Sequence, residues 1–207
     1  MAGPFPTARR SSNMKKLLIT GFEPFGGESI NPSWEAVSRL PDTVGEYSLT
    51  KMCLPVCFGS AVEMLINEAD RLCPDAVICV GQAGGRAAIT PELVAINLRH
   101  ATIPDNAGYL PQDEPVLLGG REAYFSTLPV RRMTEAIAEA SIPAQLSYSA
   151  GTYVCNDLLY SLLAHFDQTP TGVAFIHIPY MTEQEKQPSM ELCDIIKGLE
   201  SAIKAID

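Results

Sequence analysis

The sequence has no apolar run of the length that a membrane helix needs. About 20 consecutive apolar residues are required to cross a bilayer, and no stretch of this 207-residue chain approaches that length. Lysine and arginine never extend beyond short pairs, and the formal net charge is −9. Because nucleic acids and anionic membranes attract basic surfaces, this charge argues against both as partners. We therefore expect a small, weakly charged ligand.

Glycine motifs that bind nucleotides are also missing. Neither Gly21–Gly27 nor Gly81–Arg86 matches the dinucleotide pattern G-x-G-x-x-G or the phosphate pattern G-x-x-x-x-G-K-[ST]. The two glycine loops are compatible with simple tight turns. The first loop, however, places Phe22 and Phe25 among small residues. Loop aromatics at the edge of a sheet often form a flat apolar slot, so we predict a site for a ring there.

Disulfide and zinc frameworks are poorly supported. Residues 1–13 are polar and proline-rich, without the apolar core of a signal peptide, and are expected to form a disordered extension before a single domain, residues 14–207. We therefore predict a reducing, cytoplasmic location with free thiols. The spacing is poor for structural zinc, so four cysteines are interpreted as packing residues. They are Cys53, Cys57, Cys73 and Cys79.

Apolar runs alternate with helical patterns along the chain. Continuously apolar runs such as 75–80 are typical of strands buried on both faces of a parallel sheet. Predicted strands cover 15–20, 47–54, 75–80, 92–98, 145–149 and 172–180; predicted helices begin at Asn31-Pro32 or cover 60–72, 128–140, 155–166 and 189–206, the last with Ser189 as its cap. This alternation predicts an α/β protein, a single-domain three-layer α/β/α sandwich with a mainly parallel, mixed central sheet.

A cysteine at the start of a predicted helix is the first candidate for chemistry. Ala150, Gly151 and Thr152 form a tight turn, and helical apolar spacing begins at Cys155. Unpaired backbone N–H groups and the helix dipole favour a thiolate there and can hold an oxyanion. Free cysteines are also common as small buried residues, so this position alone leaves both interpretations open.

A nucleophilic thiolate needs a histidine partner, and a third group commonly orients the imidazole. Of the three histidines, His100 lies in a long irregular segment and His165 near the exposed end of the Cys155 helix. Only His177 ends an apolar strand, at the sheet edge where the two glycine loops also arrive. A hydrogen-bonded core histidine fits the same position.

The orienting acid has two candidates. Glu92 begins an otherwise apolar segment next to the second glycine loop. A carboxylate there would be partly buried and would need a cation or an N–H group as its partner. Glu23, in the first glycine loop, is the competitor, and either acid is also compatible with a solvated loop position.

Long motifs in a fixed order resemble one family, pyroglutamyl peptidase type I, also called pyrrolidone-carboxylate peptidase. The resemblance spans nearly the whole chain from Met14, and it does not depend on any single short pattern. The motifs are Thr20–Gly27, Asn31–Ser33, Gly81–Arg86, Pro91-Glu92, Val94–Asn97, Ile103–Asn106, Ser147–Asn156 and Phe175–Tyr180.

The resemblance implies a cysteine peptidase with a triad of Cys155, His177 and Glu92. It implies hydrolysis of the amide bond after an N-terminal pyroglutamyl residue of peptides, through a thioester on the cysteine and without a metal or organic cofactor. It also implies an assembly of identical subunits, a dimer or a tetramer. The pyrrolidone ring would lie between Phe22 and Phe25, with Gln82 on its lactam and an apolar slot completed by Val56, Ile103, Tyr153 and Val154.

Four positions depart from the family pattern. Relatives usually read Asp-Ala-Arg where this chain has His100-Ala-Thr102, a common glutamine is Leu110, and the usual arginine after the triad glutamate is Leu93. These differences leave the triad intact. They argue against loop contacts that relatives make through an arginine at these positions. Two alternative functions stay open: a phosphorylase-like small-molecule transferase, which would explain the glycine loops, and a non-catalytic binder of pyrrolidone-like ligands.

Overall fold

The structure is a computed structural model that describes residues 14–207, so the predicted extension, residues 1–13, lies outside the described residues. Its strands are β1 (Lys15–Phe22), β2 (Thr43–Val44), β3 (Tyr47–Leu54), β4 (Ala76–Gln82), β5 (Thr90–Pro91), β6 (Val94–Ile96), β7 (Ala123–Phe125), β8 (Gly172–Ile178), β9 (Tyr180–Met181) and β10 (Ser189–Met190). Its α-helices are α1 (Pro32–Arg39), α2 (Ser60–Leu72), α3 (Val130–Glu139), α4 (Val154–His165) and α5 (Leu192–Lys204).

One mixed sheet forms the centre of the molecule, with the strand order β2-β3-β1-β4-β8-β5. The inner strands β3, β1, β4 and β8 are parallel, and the short edge strands β2 and β5 are antiparallel. His177 on β8 is the register partner of Gly81 on β4 and of Thr90 on β5. The ends of these three strands therefore meet at one edge of the sheet.

Strand residues alternate between two apolar cores, one on each face of the sheet. Leu17 and Ile19 belong to the core that α1, α3 and α5 cover, whereas Leu18 belongs to the core that α2 and α4 cover. Because both faces are buried, β4, β8 and the central part of β1 carry continuous apolar runs rather than an apolar residue at every second position. The predicted three-layer α/β/α sandwich with a mainly parallel sheet is thus confirmed.

Helix α1 begins where the sequence predicted, because Asn31 caps it and Pro32 occupies its first position. Asn31 Oδ1 accepts a hydrogen bond from the Ser33 N–H at 3.0 Å. Asn31 Nδ2 donates to the Glu23 carbonyl at 2.9 Å. The same side chain thus caps the helix and fastens the first glycine loop at the sheet edge.

Two predicted strands differ in the structure. The predicted strand 145–149 is an extended segment with isolated bridges from Ala144 to Ile89 and from Ser147 to Glu92. Ser147 Oγ contacts the Ser149 backbone, and such local bonds compete with a regular ladder. The predicted strand 92–98 shortens to β6, which pairs with β7 in a separate antiparallel ribbon.

The last helix also differs from its prediction. Helix α5 begins at Leu192, and Glu191 rather than Ser189 is its N-cap residue, without a side-chain hydrogen bond. Ser189 instead pairs with Tyr180 in the short β10–β9 ribbon. Within residues 14–207, no helix has both the length and the apolar character needed to cross a membrane.

Truncation of a core leucine should destabilise the fold strongly. Leu158 of α4 is 0% exposed, whereas Leu118 is 89% exposed. We expect Leu158→Ala to lower the free energy of unfolding by about 2–5 kcal/mol, because it leaves a cavity. Leu118→Ala, the matched control, should change it by less than about 0.5 kcal/mol. Urea unfolding measures both values, and equal effects would contradict the assigned core.

Candidate active site

The Cys155 thiol lies against the end of the central strand β4. Cys155 is the second residue of α4, and the helix start points at the sheet. A Cβ atom placed on Gly81 would lie 3.1 Å from Cys155 Sγ and 2.7 Å from the Phe175 ring. A side chain at position 81 would displace one of these groups. Gly81 is therefore required for the close approach of the thiol to the strand.

His177 occupies the neighbouring strand position. It is the register partner of Gly81, and its side chain lines the same cavity as Cys155, with a volume of about 120 Å³. His177 is 4% exposed. The structure therefore brings the predicted cysteine and the predicted histidine into one small site, and it leaves His100 and His165 elsewhere.

A fully buried carboxylate holds the imidazole. Glu92 Oε1 lies 2.7 Å from His177 Nδ1, and Glu92 is 0% exposed. Glu23, the competing acid, instead accepts a hydrogen bond from Asn106 Nδ2 at 2.9 Å. The structure thus places Glu92, and not Glu23, beside the histidine.

Arg86 binds the same oxygen of Glu92. Its Nη1 donates to Glu92 Oε1 at 2.7 Å and to Thr90 Oγ1 at 2.6 Å. Its Nη2 donates to the Ser149 carbonyl at 3.2 Å. The sequence indicated that Glu92 needs a cation or an N–H partner, but it did not identify Arg86. The available signal was an arginine that ends a glycine loop just before the acid.

Burial controls the charge of the candidate reactive groups. Burial, followed by the negative charge of Glu92, raises the pKa of the Cys155 thiol to about 12. Burial also lowers the pKa of His177, although the hydrogen bond that His177 donates to Glu92 opposes this shift. Burial opposes ionisation of Glu92, but His177, followed by Ser147 and Arg86, lowers its pKa. The expected helix stabilisation of a thiolate is thus outweighed by desolvation.

These charge states define the proton positions. An ionised Glu92 carboxylate only accepts hydrogen bonds, so His177 Nδ1 carries a proton and donates it to Oε1. In the neutral imidazole, Nε2 is then an acceptor. Burial therefore favours a neutral thiol and a neutral imidazole in the same cavity, with the buried carboxylate on the far side of the imidazole ring.

Backbone N–H groups at the start of α4 lack a hydrogen-bond acceptor within the helix. The N-cap residue Tyr153 makes no side-chain cap hydrogen bond. The Asp157 N–H donates to the Tyr153 carbonyl at 3.1 Å as the first bond of the helix. The preceding N–H groups, including that of Cys155, therefore have no acceptor within the helix and can bind a developing negative charge.

An apolar slot surrounds the thiol. The cavity of about 120 Å³ is lined by most of the predicted slot residues together with two that the sequence missed, Asn31 and Ala150. The predicted residues that line it are Phe22, Phe25, Val56, Gln82, Tyr153 and Val154. Asn31 was missed because its capping role accounted for it completely, and Ala150 because a small turn residue carries no signal of its own.

Gln82 is the main amide group of the slot. Its Oε1 accepts a hydrogen bond from Gln184 Nε2 at 2.9 Å. This contact orients the amide, so the Gln82 NH₂ group remains as a donor. Gln184 lies in the helical turn after β9, and no sequence pattern indicated that the two glutamines would meet.

Ile103 lies outside this slot. It is 46% exposed and lines an adjoining cavity of about 290 Å³, which shares Phe25 and Tyr153 with the slot. His100 and Thr102 also line the adjoining cavity. The other two departures from the family pattern are outside both cavities: Leu93 packs against the core, and Leu110 is 45% exposed.

Two polar residues after the cysteine connect α4 to β6 and to the segment that follows β6. Asn156 accepts a hydrogen bond from the Ile96 N–H at 3.0 Å and donates to the Ile96 carbonyl at 2.9 Å. Asp157, 0% exposed, pairs with Arg99 at 2.6 Å. The residues that follow Cys155 in the motif thus position the helix that carries the thiol.

The segment Ile103–Asn106 is fastened beside the slot by hydrogen bonds. Asp105 accepts hydrogen bonds from the N–H groups of Phe58 and Tyr109 at 2.9 and 2.8 Å. Asn106 Nδ2 donates to the Pro24 carbonyl at 2.9 Å, and Tyr153 Oη donates to the Pro104 carbonyl at 3.0 Å. This motif therefore helps to position Tyr153, which lines the slot, and the loop that carries Phe25.

The fold and the site together define a class: an α/β protein with a cysteine, a histidine and a carboxylate at the carboxyl edge of its sheet, as in cysteine hydrolases. The family model described as pyroglutamyl peptidase matches residues 15–207. The chain belongs to the pyroglutamyl peptidase family.

Individual relatives agree with this assignment. The chain is 52% identical over 195 residues to a pyrrolidone-carboxylate peptidase of Erwinia tasmaniensis, with 92% of each chain covered. It is 50% identical over 194 residues to one of Thermococcus onnurineus, which covers 91% of this chain and 97% of that one. The crystal structure of pyroglutamyl peptidase I from Bacillus amyloliquefaciens superposes with a TM-score of 0.90 at 46% identity, covering 93% of this chain and 96% of that one.

These comparisons confirm the predicted activity, that of a pyroglutamyl-peptidase I, a cysteine-type omega-peptidase and hydrolase. They support neither the phosphorylase-like transferase nor the non-catalytic binder.

The buried histidine should make stability depend on pH. Because the pKa of His177 is lowered in the fold, the unfolded chain takes up this proton at higher pH than the folded one. The contribution of the neutral His177 to stability is therefore fully present above the ordinary histidine pKa near 6.5. It is lost as the pH falls below this value toward the lowered pKa. We expect urea unfolding of His177→Gln to show a shallower loss below about pH 6.5 than the unchanged protein. Identical slopes would contradict a neutral, buried His177.

Proposed function

We propose that Cys155, His177 and Glu92 are the nucleophile, the general acid–base and the orienting acid of a peptidase that releases N-terminal pyroglutamate from peptides, with residues 14–207 as its catalytic domain. One observation carries the assignment. Cys155 and His177 line one cavity, and the buried Glu92 carboxylate lies 2.7 Å from the far side of the imidazole. The known activity of the family agrees with this arrangement.

Acylation starts from the neutral thiol. As Cys155 Sγ attacks the carbonyl carbon of the pyroglutamyl residue, its proton passes to His177 Nε2, and the carbonyl oxygen becomes an oxyanion. Backbone N–H groups at the start of α4 stabilise that charge. Collapse of the tetrahedral intermediate breaks the C–N bond, and His177 gives its proton to the leaving amine. The product is a thioester of pyroglutamate on Cys155.

Deacylation repeats the same proton path with water. His177 Nε2 takes a proton from the attacking water, and the thioester carbon–sulfur bond breaks. The proton returns to the thiolate, so free pyroglutamate and the neutral thiol are formed. In both halves the Glu92 carboxylate stabilises the imidazolium that forms transiently.

The slot explains selection of a cyclic, uncharged residue. Phe22 and Phe25 offer apolar faces to the pyrrolidone ring, with Val56, Tyr153 and Val154 as the remaining apolar lining. The oriented Gln82 NH₂ group is positioned to donate to the lactam carbonyl. Pyroglutamate has no α-amino group, so such a slot with few hydrogen bonds selects it where an ordinary aminopeptidase site cannot. Ile103 lines the adjoining cavity together with Phe25 and Tyr153 rather than the slot that holds the ring.

The compartment and the assembly are part of the same proposal. All six cysteines are free thiols, which supports a reducing cytoplasmic location. The family resemblance supports assembly into a dimer or a tetramer of identical chains.

Hydrolysis should require both the ring carbonyl and the thiol. We expect the protein to release a chromophoric amine from pyroglutamyl-amide but not from prolyl-amide, which lacks the lactam carbonyl. Prior treatment with iodoacetamide should abolish the release, and Cys155→Ser should be inactive but folded. Substitution of the exposed Cys193 by serine, the matched control, should preserve both activity and its loss on alkylation. Full activity of Cys155→Ser would show that the mechanism is wrong.

The slot should lose affinity when its aromatic wall is shortened. Phe25 is partly buried, so its truncation perturbs the core less than truncation of Phe22. We expect Phe25→Ala to reduce kcat/KM for pyroglutamyl-amide by roughly 10- to 100-fold, since a buried phenylalanine contributes a few kcal/mol. Phe125→Ala, at an exposed position on β7, should retain the original kcat/KM. Equal kcat/KM values for the two variants would place the ring elsewhere.

A further inference from the structure

We propose that Arg86 is a positioning residue for this reaction: it fixes the Glu92 carboxylate and supplies the positive charge that keeps this buried group ionised while His177 is neutral. The inference rests on the proposed function, because Arg86 acts on the chemistry only through Glu92 and His177. Neither the family pattern quoted above nor the triad assigns it a role.

The carboxylate is held through a single oxygen. Glu92 Oε1 receives both the His177 Nδ1 contact and the Arg86 Nη1 hydrogen bond, each at 2.7 Å. Oε2 is buried and has no hydrogen-bond partner among the described residues. The orientation of the carboxylate therefore depends on the two hydrogen bonds that Arg86 and His177 donate to Oε1. The orientation of the imidazole depends on the carboxylate in turn.

Arg86 is itself fixed from both sides of the site. Thr90 Oγ1 on β5 accepts from Nη1 at 2.6 Å, and the Ser149 carbonyl, before the turn into α4, accepts from Nη2 at 3.2 Å. Gly84 of the loop that presents it is in close contact with Tyr180, because a Cβ on Gly84 would lie 2.2 Å from Tyr180 Oη. The guanidinium thus connects β5, which directly precedes the acid, with the segment that leads to the nucleophile.

A buried carboxylate needs a counter-charge, since an unpaired one takes up a proton instead. His177 cannot provide that charge while it is neutral. Arg86 is the only arginine or lysine within hydrogen-bond distance of Glu92 in residues 14–207. Its charge also lowers the pKa of His177 and of Cys155, after the larger effects of burial and of Glu92.

Loss of this charge has a consequence that a purely structural contact would not have. Without Arg86, the coupled Glu92–His177 pair holds its extra proton more tightly, whichever of the two groups carries it. As the pH falls, the form of the site with a free basic nitrogen is therefore lost at a higher pH than in the unchanged protein. The acid limb of the pH profile of kcat/KM should shift accordingly.

The test is the pH profile of pyroglutamyl-amide hydrolysis by Arg86→Met. We expect its acid limb to move to higher pH, kcat on the plateau to fall by about tenfold or more, and KM to change little because Arg86 does not line the ring slot. Arg121→Met, which removes an exposed arginine paired with Asp167, is the matched control and should show the original profile. An unshifted acid limb in Arg86→Met would overturn the proposal, whatever its thermal stability.

A second variant decides the question if Arg86→Met does not fold. Arg86→Lys keeps the charge but loses the guanidinium fork. We expect it to keep the original acid limb with a lowered kcat. A shifted limb or an unchanged kcat would overturn the proposal. Failure of the unchanged protein to hydrolyse pyroglutamyl-amide would instead refute the proposed function, so the two failures are distinct.

Discussion

The double hydrogen bond to Glu92 Oε1 is the interaction on which the rest of the site depends. It joins an acid on the edge of the sheet, a histidine on β8 and an arginine from the loop after β4. The carboxylate is fully buried, so solvent cannot replace either partner. A displaced acid would leave the imidazole without orientation, and it would also leave a buried charge without compensation, which is strongly unfavourable.

Burial of the site has two opposite effects on its chemistry. It disfavours every charged form, so the thiol and the imidazole are neutral before substrate binds. It also strengthens each electrostatic contact once charge develops, because little water screens it. In the proposed mechanism, the imidazolium and the oxyanion therefore form where Glu92 and the N–H groups of α4 are already in place. Close packing at Gly81 brings the thiol to this position and excludes bulkier neighbours.

Sequence patterns predicted the layers well because these depend on local properties. Continuous apolar strands and the Asn31-Pro32 start of α1 are read directly from the chain, and both were confirmed. The predictions failed where a segment has a choice of partners. Residues 145–149 have strand-like composition, but serine side chains bind the local backbone, and the segment after Glu92 leaves the sheet to pair with β7. Local composition does not specify which partner a strand finds.

Taken by itself, the sequence determined the fold class, the family and the likeness of its motifs to a cysteine peptidase, since these follow from residue types at given positions. The tertiary structure alone decided which acid lies beside His177 and that Arg86 binds the same oxygen of that acid. It also decided that Ile103 lies outside the apolar slot and that Gln184 orients Gln82. Each of these depends on distances between residues that are remote in the chain. The charge state of Cys155 belongs to the same group, because the helix start favours a thiolate locally while burial, a property of the whole fold, outweighs it.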